Sequence, residues 1–255
     1  MMQRYRNQLN GKDRSCRIIF GLFVLILFCL LDGCAFPATV PADQNGVISG
    51  GPESQPYWWY VRYRIVWPEG AEPDWRVDLL LADAVIKPVL HANKQQIRYW
   101  RFHRRAIRDA AGHQFSFIFY ADKDTAGRVY AALSSDKLSV RLIEKNILQK
   151  IVTDNLANNH QSGVQDTSDK NWSETLQKAW PAYIMGVSDM WLQLIEQNME
   201  EYTPDADVVD LLQKYGNAND KITAVWQKEG QHAYLHHLNA IFGYEPIMIN
   251  KDMQF

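Results

Sequence analysis

Tyr57–Trp67, YWWYVRYRIVW, is the stretch on which the fold turns. Its residues alternate: Trp59, Val61, Tyr63, Ile65 and Trp67 fall on one face and Arg62 and Arg64 on the other, the period of a half-buried strand. Pro68-Glu69-Gly70 ends it. Pro73-Asp74 then opens a helical run with Trp75, Leu79, Leu80 and Ile86 at helical spacing, and Pro88 is expected to close it. Ile97–Ile107 alternates again, with Trp100 and Phe102 in register. Ala110-Ala111-Gly112 turns the chain into HQFSFIFYA, where Phe115, Phe117 and Phe119 share a side, so the two segments are expected to pair as an antiparallel hairpin. Asp122–Ser135 reads as a second helix through Val129, Tyr130 and Leu133, and Leu138–Ile143 as a fourth strand.

Strand, helix, strand, strand, helix, strand is the order of a ferredoxin-like, or split βαβ, arrangement. The expected class is therefore α+β, with a ferredoxin-like βαββαβ lobe over residues 57–143. Its second sheet face would show Arg62 and Arg64, with Arg98 or Arg101, to solvent or to another part of the chain.

From Glu144 the pattern becomes helical, and residues 144–255 are expected to form an all-helical lobe. A polar stretch, Asn158–Asn171, reads as a mobile loop. Trp191, Leu194, Ile195 and Met199 make one stripe of the run Val187–Tyr202. Thr203 as N-cap, Pro204 at the first helical position and Gly216 after the last turn mark a further helix. Asn217–Gly230 and Gln231–Phe242 would be two more, the last with Tyr234, Leu235, Leu238, Ile241 and Phe242 as its buried stripe.

The N-terminal part has a different character. Arg4, Arg6, Lys12, Arg14 and Arg17 precede an apolar block, Ile18–Leu31, which is short for a membrane span and of signal-peptide length. It ends in Leu31-Asp32-Gly33-Cys34. This resembles the export signal of bacterial lipoproteins, in which cleavage precedes a cysteine whose thiol takes a diacylglyceryl group. The resemblance implies a signal peptide at 1–33, lipid on Cys34 and a membrane held through that lipid. Asp32 departs from the small or aliphatic residue usual in such a box, and an uncleaved anchor is the competing reading. Ala35, where the inner-membrane retention signal would be Asp, implies the outer membrane, with the body facing the periplasm. Residues 34–56, with Pro37, Pro41, Pro52 and Pro56, read as a flexible tether.

Loss of that leader constrains the chemistry. All three cysteines, Cys16, Cys29 and Cys34, lie at or before the cleavage point, so disulfides, a cysteine nucleophile and thiolate metal sites are excluded from the body. Five basic residues leave with Asp13 and Asp32, and the formal charge falls from −2 to about −5. No nucleic-acid partner is expected of such a chain.

Two constellations could carry chemistry. The first is the basic strand RYWRFHRRAIRD, in which Arg98, Arg101, Arg104, Arg105 and Arg108 surround Trp100 and Phe102; guanidinium groups beside aromatic rings bind anionic or sugar ligands. Between Ile151 and Gln213 stand eleven acidic residues against two lysines, so pairing of an acidic helical lobe with this basic strand is the simpler explanation of both. The second is His232, His236 and His237. His232 and His236, four apart on a helix, can present two imidazoles to one metal ion, although surface histidines are the plainer reading. No HExxH, GxSxG, GxGxxG or P-loop sequence occurs. WWYVRYR and HHLNAIFG resemble pieces of the thiopeptide-type bacteriocin biosynthesis domain, a cytoplasmic family from which no residue or activity is carried over. The expected function is a non-catalytic binding or scaffold module for a protein partner in the bacterial envelope, without a cofactor beyond the lipid. The alternative is an envelope enzyme or ligand-binding protein with an Arg/Trp/His-lined cleft between the lobes, in one version metal-dependent through His232 and His236.

Overall fold

Four strands form one antiparallel sheet in the computed structural model, which describes residues 55–199 and 206–246. β1 is Tyr57–Ile65, β2 Tyr99–Ala106, β3 His113–Ala121 and β4 Leu148–Thr153, in the order β2-β3-β1-β4. The alternation in YWWYVRYRI sets the register: Trp59 lies opposite Phe119, Val61 opposite Phe117 and Tyr63 opposite Phe115. On the next strand Trp100 meets Phe119 and Phe102 meets Phe117. One face is thus a dense aromatic layer, with Phe117 and Phe119 ring centroids 5.0 Å apart and Phe102 and Phe115 5.2 Å apart. Aromatic pairs of this kind add to the stabilisation from area burial. The opposite face carries Arg62, Arg64, Arg101, His103 and Arg105, as the strand period requires.

The apolar run after Pro73 is helical throughout. α1 (Trp75–Leu80) continues through a wide π-turn, Leu81–Ile86, into α2 (Lys87–Ala92). Asp74 caps it, accepting from Arg76 N at 3.2 Å. Pro88 does not end it, contrary to the sequence expectation. The Lys87 N–H reaches back to Ala82 O, so the hydrogen-bond register is already widened where Pro88 brings no donor. Val77, Leu79, Leu80, Leu81, Ala82 and Ile86 are fully buried, as expected of a helix apolar on all sides.

α3 (Lys123–Ser134) follows β3, capped by Asp122, which accepts from Thr125 N at 2.7 Å. The next segment corrects the sequence reading. Leu138–Ile143 is not a strand but lies within α4 (Lys137–Glu144), and the fourth strand is Leu148–Thr153. Asp136 accepts from Ser139 N at 2.7 Å, a cap of the kind that contributes about 1 kcal/mol, and it sets Leu138 and Leu142 one turn apart on a buried face.

The polar stretch after β4 is a bonded strap. It holds a 3₁₀ turn, Val164–Thr167. Trp58 Nε1 donates to the carbonyls of Gly163 and Val164 at 3.1 and 3.0 Å. Tyr120 Oη donates to Ser162 O at 2.6 Å. The strap covers one end of the polar sheet face.

α5 (Glu174–Asn198) runs along the outer strand β2, whose Phe102 N–H donates to Ser188 Oγ at 3.1 Å. That contact occupies an edge that would otherwise pair with other chains. α6 (Val208–Gly230) is continuous through Gly216, where a break was expected. The reason is packing: a Cβ at Gly216 would stand 2.9 Å from Arg76 Cδ, so glycine serves helix contact there and not termination. Asp207 caps this helix, accepting from Val209 N at 2.8 Å. Thr203 and Pro204 lie outside the described residues, as do the proposed leader, Cys34 and nearly all of the tether.

A π-turn, Gln231–His236, leads into α7 (His237–Ile241). The expected buried stripe does not exist. Leu235 is 54%, Ile241 81% and Phe242 68% exposed. The π-turn breaks the 100° periodicity on which that stripe was drawn, and Trp226 stacked on Tyr234 at 5.9 Å is the aromatic contact that ties this end to α6.

Sheet and helices share one core in which Phe115 and Val61 join Leu133, Leu142, Ile195, Leu211 and Tyr215. All described residues belong to one compact unit, Gly50–Phe255. No helix among them is long and apolar enough to cross a membrane.

Candidate functional site

α5, α6 and the edge strand β2 enclose a cleft of about 520 Å³. Its walls are aromatic, with Trp180 and Trp191 from α5, Trp226 from α6 and Tyr234 from the π-turn. Ile184, Val187, Leu194 and Ile222 add to the apolar lining, and Asn219 and Thr223 supply polar points. At the strand side stand Arg101 and Arg104. A mostly apolar concavity of this size with a few polar groups is the usual form of a small-molecule site.

The two arginines differ. Arg101 is half-buried, and desolvation holds its pKa below the ordinary arginine value. Its Nε donates to Thr167 Oγ1 at 3.1 Å. Among the described residues it has no carboxylate partner, so a guanidinium faces an apolar cleft with only neutral acceptors beside it. A charge removed from water without a counter-ion is destabilising, and an anionic ligand would relieve it.

Arg104 has its counter-ion. Its Nε lies 3.2 Å from Oδ2 of Asp78, a fully buried carboxylate on α1. The guanidinium carbon sits 4.8 Å from the Trp75 ring centroid and 4.9 Å from that of Trp191. The same Asp78 oxygen is 3.4 Å from Nε2 of His113, itself buried and packed on Trp75 at 4.9 Å. Asp78, His113 and Arg104 thus form a cluster under an aromatic cover, and Asp78 Oδ1 has no partner among the described residues.

The structure gathers only part of the residues expected to bind. Arg101 and Arg104 reach the cleft. Arg98 and Trp100 line a separate groove of about 410 Å³ with Leu90, Met185 and Asp189. Arg105 is turned to Asp109, with contacts of 2.7 and 3.2 Å. That hydrogen bond, with those from the Gly112 and Ala111 amides, holds the Asp109 carboxyl at about 2. His232 and His236 stack in the open at 5.1 Å, with His237 5.3 and 5.2 Å from them. Among the described residues no group of three His, Cys, Asp or Glu could hold a metal ion.

Pairing between an acidic helical lobe and the basic strand is not what the described residues show. The acids that meet Arg104 and Arg105 are Asp78 and Asp109, both from the sheet-bearing half. Asp78 and His113 were missed from sequence, although Asp78 interrupts an apolar helical run. The cleft wall also left a signal: Trp180, Ile184, Val187, Trp191 and Leu194 recur at alternating steps of four and three, one face of a helix.

Compared with known proteins, the chain matches no family model, no curated protein and no solved structure.

Proposed function

We propose that this chain is a lipid-anchored, non-catalytic binding protein of the bacterial envelope, held to the outer membrane through Cys34 with its body in the periplasm. The cleft between α5 and α6 receives a molecule with an apolar, ring-sized body and one anionic end. The observation that carries this is Arg101, a half-buried guanidinium that has no carboxylate partner among the described residues and lines a cleft with three tryptophans. The body belongs to the ferredoxin-like βαββαβ class followed by a helical portion, a reading supported by the β2-β3-β1-β4 order with antiparallel neighbours.

Titration of residues 50–255 with 2-naphthalenesulfonate, followed by tryptophan quenching, tests the reading. Saturable binding is expected, with 2-naphthalenemethanol binding at least about tenfold more weakly, since a charge-assisted hydrogen bond is lost. Arg101→Met removes the preference and Arg105→Met leaves it. Equal binding of the two probes by the unsubstituted protein would sink the proposal.

A second reading keeps a protein partner. Leu235, Ile241, Phe242 and Tyr244 are all more than half exposed around the last helix, which supports docking of an envelope protein there. Phe242→Asp would abolish recovery of that partner in a gentle-detergent pull-down while leaving naphthalenesulfonate binding intact.

A further inference from the structure

Among the described residues, no aspartate or glutamate lines the aromatic cleft. Its ionisable groups are Arg101, His103, Arg104 and the Tyr234 phenol. The charge of Arg104 is already matched by Asp78, which is not part of the wall. A ligand ammonium placed here would lose water, meet no counter-ion and stand near the Arg101 guanidinium. Like charges at short range and an unpaired cation out of water are both destabilising. The lining therefore selects against zwitterions such as free amino acids, although an aromatic ring and a carboxylate suit the rest of the cleft.

Arg101 also limits the shape of the acid. Its Nε donates to Thr167 Oγ1 at 3.1 Å, and its Nη2 donates to Thr167 O at 3.5 Å. Those two contacts use one edge of the guanidinium. The group carries five N–H donors in one plane, so its end edge, with one N–H from each terminal nitrogen, stays open among the described residues. Two parallel N–H groups match the two oxygens of a planar carboxylate.

The α6 wall adds a second polar point. Asn219 and Thr223 are four residues apart, one helical turn, and both line the cleft. Neither side chain has a hydrogen-bond partner among the described residues. Ser188, in the same lining, is by contrast fully used: it accepts from Phe102 N at 3.1 Å and donates to Ile184 O at 2.8 Å. Asn219 is half-buried and Thr223 is open to solvent, so Asn219 gains more from a ligand. Both side chains can donate and accept, which fits a hydroxyl. Arg101 belongs to the strand wall and this pair to the helix wall, while the tryptophans supply the apolar surface that a ring would cover. Resting on the anion-binding reading of this cleft, we propose that its ligand is a hydroxylated aryl carboxylic acid, with the carboxylate on the open fork of Arg101, the ring against the tryptophans and an uncharged hydroxyl on Asn219 and Thr223.

Calorimetric titration of the full chain in zwitterionic detergent tests this with ligand pairs that differ in one group. 2-Naphthoate is expected to bind saturably, and 6-hydroxy-2-naphthoate about fivefold more tightly, the gain from one added hydrogen bond. 3-(2-Naphthyl)alanine, which adds an ammonium, is expected to bind at least about tenfold more weakly than 3-(2-naphthyl)propionate. The double substitution Asn219→Leu, Thr223→Val erases the difference between the hydroxylated and plain naphthoates. The ligand pairs decide on the unsubstituted protein alone, whether or not that variant folds. 2-Naphthalenesulfonate, titrated alongside, separates this proposal from the reading it rests on. If the sulfonate binds but 2-naphthoate does not, or the hydroxyl brings no gain, or naphthylalanine binds as tightly as naphthylpropionate, the hydroxy acid is overturned and the anion-binding cleft stands. Binding of neither the sulfonate nor 2-naphthoate would overturn both.

Discussion

Asp78→Ala is expected to destabilise the protein by about 3 kcal/mol, the low end of the range for removing one member of a buried ion pair. For a body of this size that lowers Tm by roughly 6–12 °C. The physical reason is what remains behind. Asp78 is fully buried and its Oδ2 serves both Arg104 at 3.2 Å and His113 at 3.4 Å. Without it the Arg104 guanidinium stays under Trp75 and Trp191 with no counter-ion, and its residual exposure of 30% lets water moderate the penalty. The triple replacement Asp78→Leu, Arg104→Met, His113→Phe should recover most of the loss, because well-packed apolar groups replace buried charges at little cost. Thermal denaturation of the single and triple variants checks both statements. A single variant as stable as the parent would show that Arg104 does not depend on Asp78.

Cys34→Ser is expected to abolish incorporation of a clickable fatty acid and to move the protein from the membrane fraction to the soluble one, or to arrest it as an uncleaved precursor. One acyl chain holds a protein only marginally, whereas a cysteine carrying a diacylglyceryl group supplies the two chains that stable anchoring needs. On the proposed reading the apolar block Ile18–Leu31 would direct export, and the acylated Cys34 thiol would hold the protein at the membrane. Label retained by the serine variant would place the lipid elsewhere. Retention in the membrane without any label would favour the uncleaved anchor.

What could be read in the sequence was local. β1 and β2 are visible because large aromatic residues alternate with arginines, β3 because Phe115, Phe117 and Phe119 recur at every second position, and α3 because Asp122 caps a clear apolar face. LSVRLI alternates like a strand, yet Asp136 and the Leu138–Leu142 spacing make it helical, so cap chemistry won over alternation there. Gly216 resembles a helix stop only until Arg76, far away in sequence, is seen to need the space. The site followed the same rule. The arginines of β2 were evident as a basic strand, but their division among cleft, groove and turn depends on the register with β3 and on where α5 lies. Asp78 and His113 come from different elements, and only the fold places them 3.4 Å apart.

The most direct measurement is to locate an occupant of the aromatic cleft. A naphthalenesulfonate carrying a diazirine, irradiated with the protein and mapped by peptide mass spectrometry, is predicted to label α5 between Trp180 and Leu194 and α6 between Asn219 and Trp226, with labelling suppressed by Arg101→Met. Labelling concentrated at Ile241 and Phe242, or unchanged by that substitution, would contradict an anion-binding cleft.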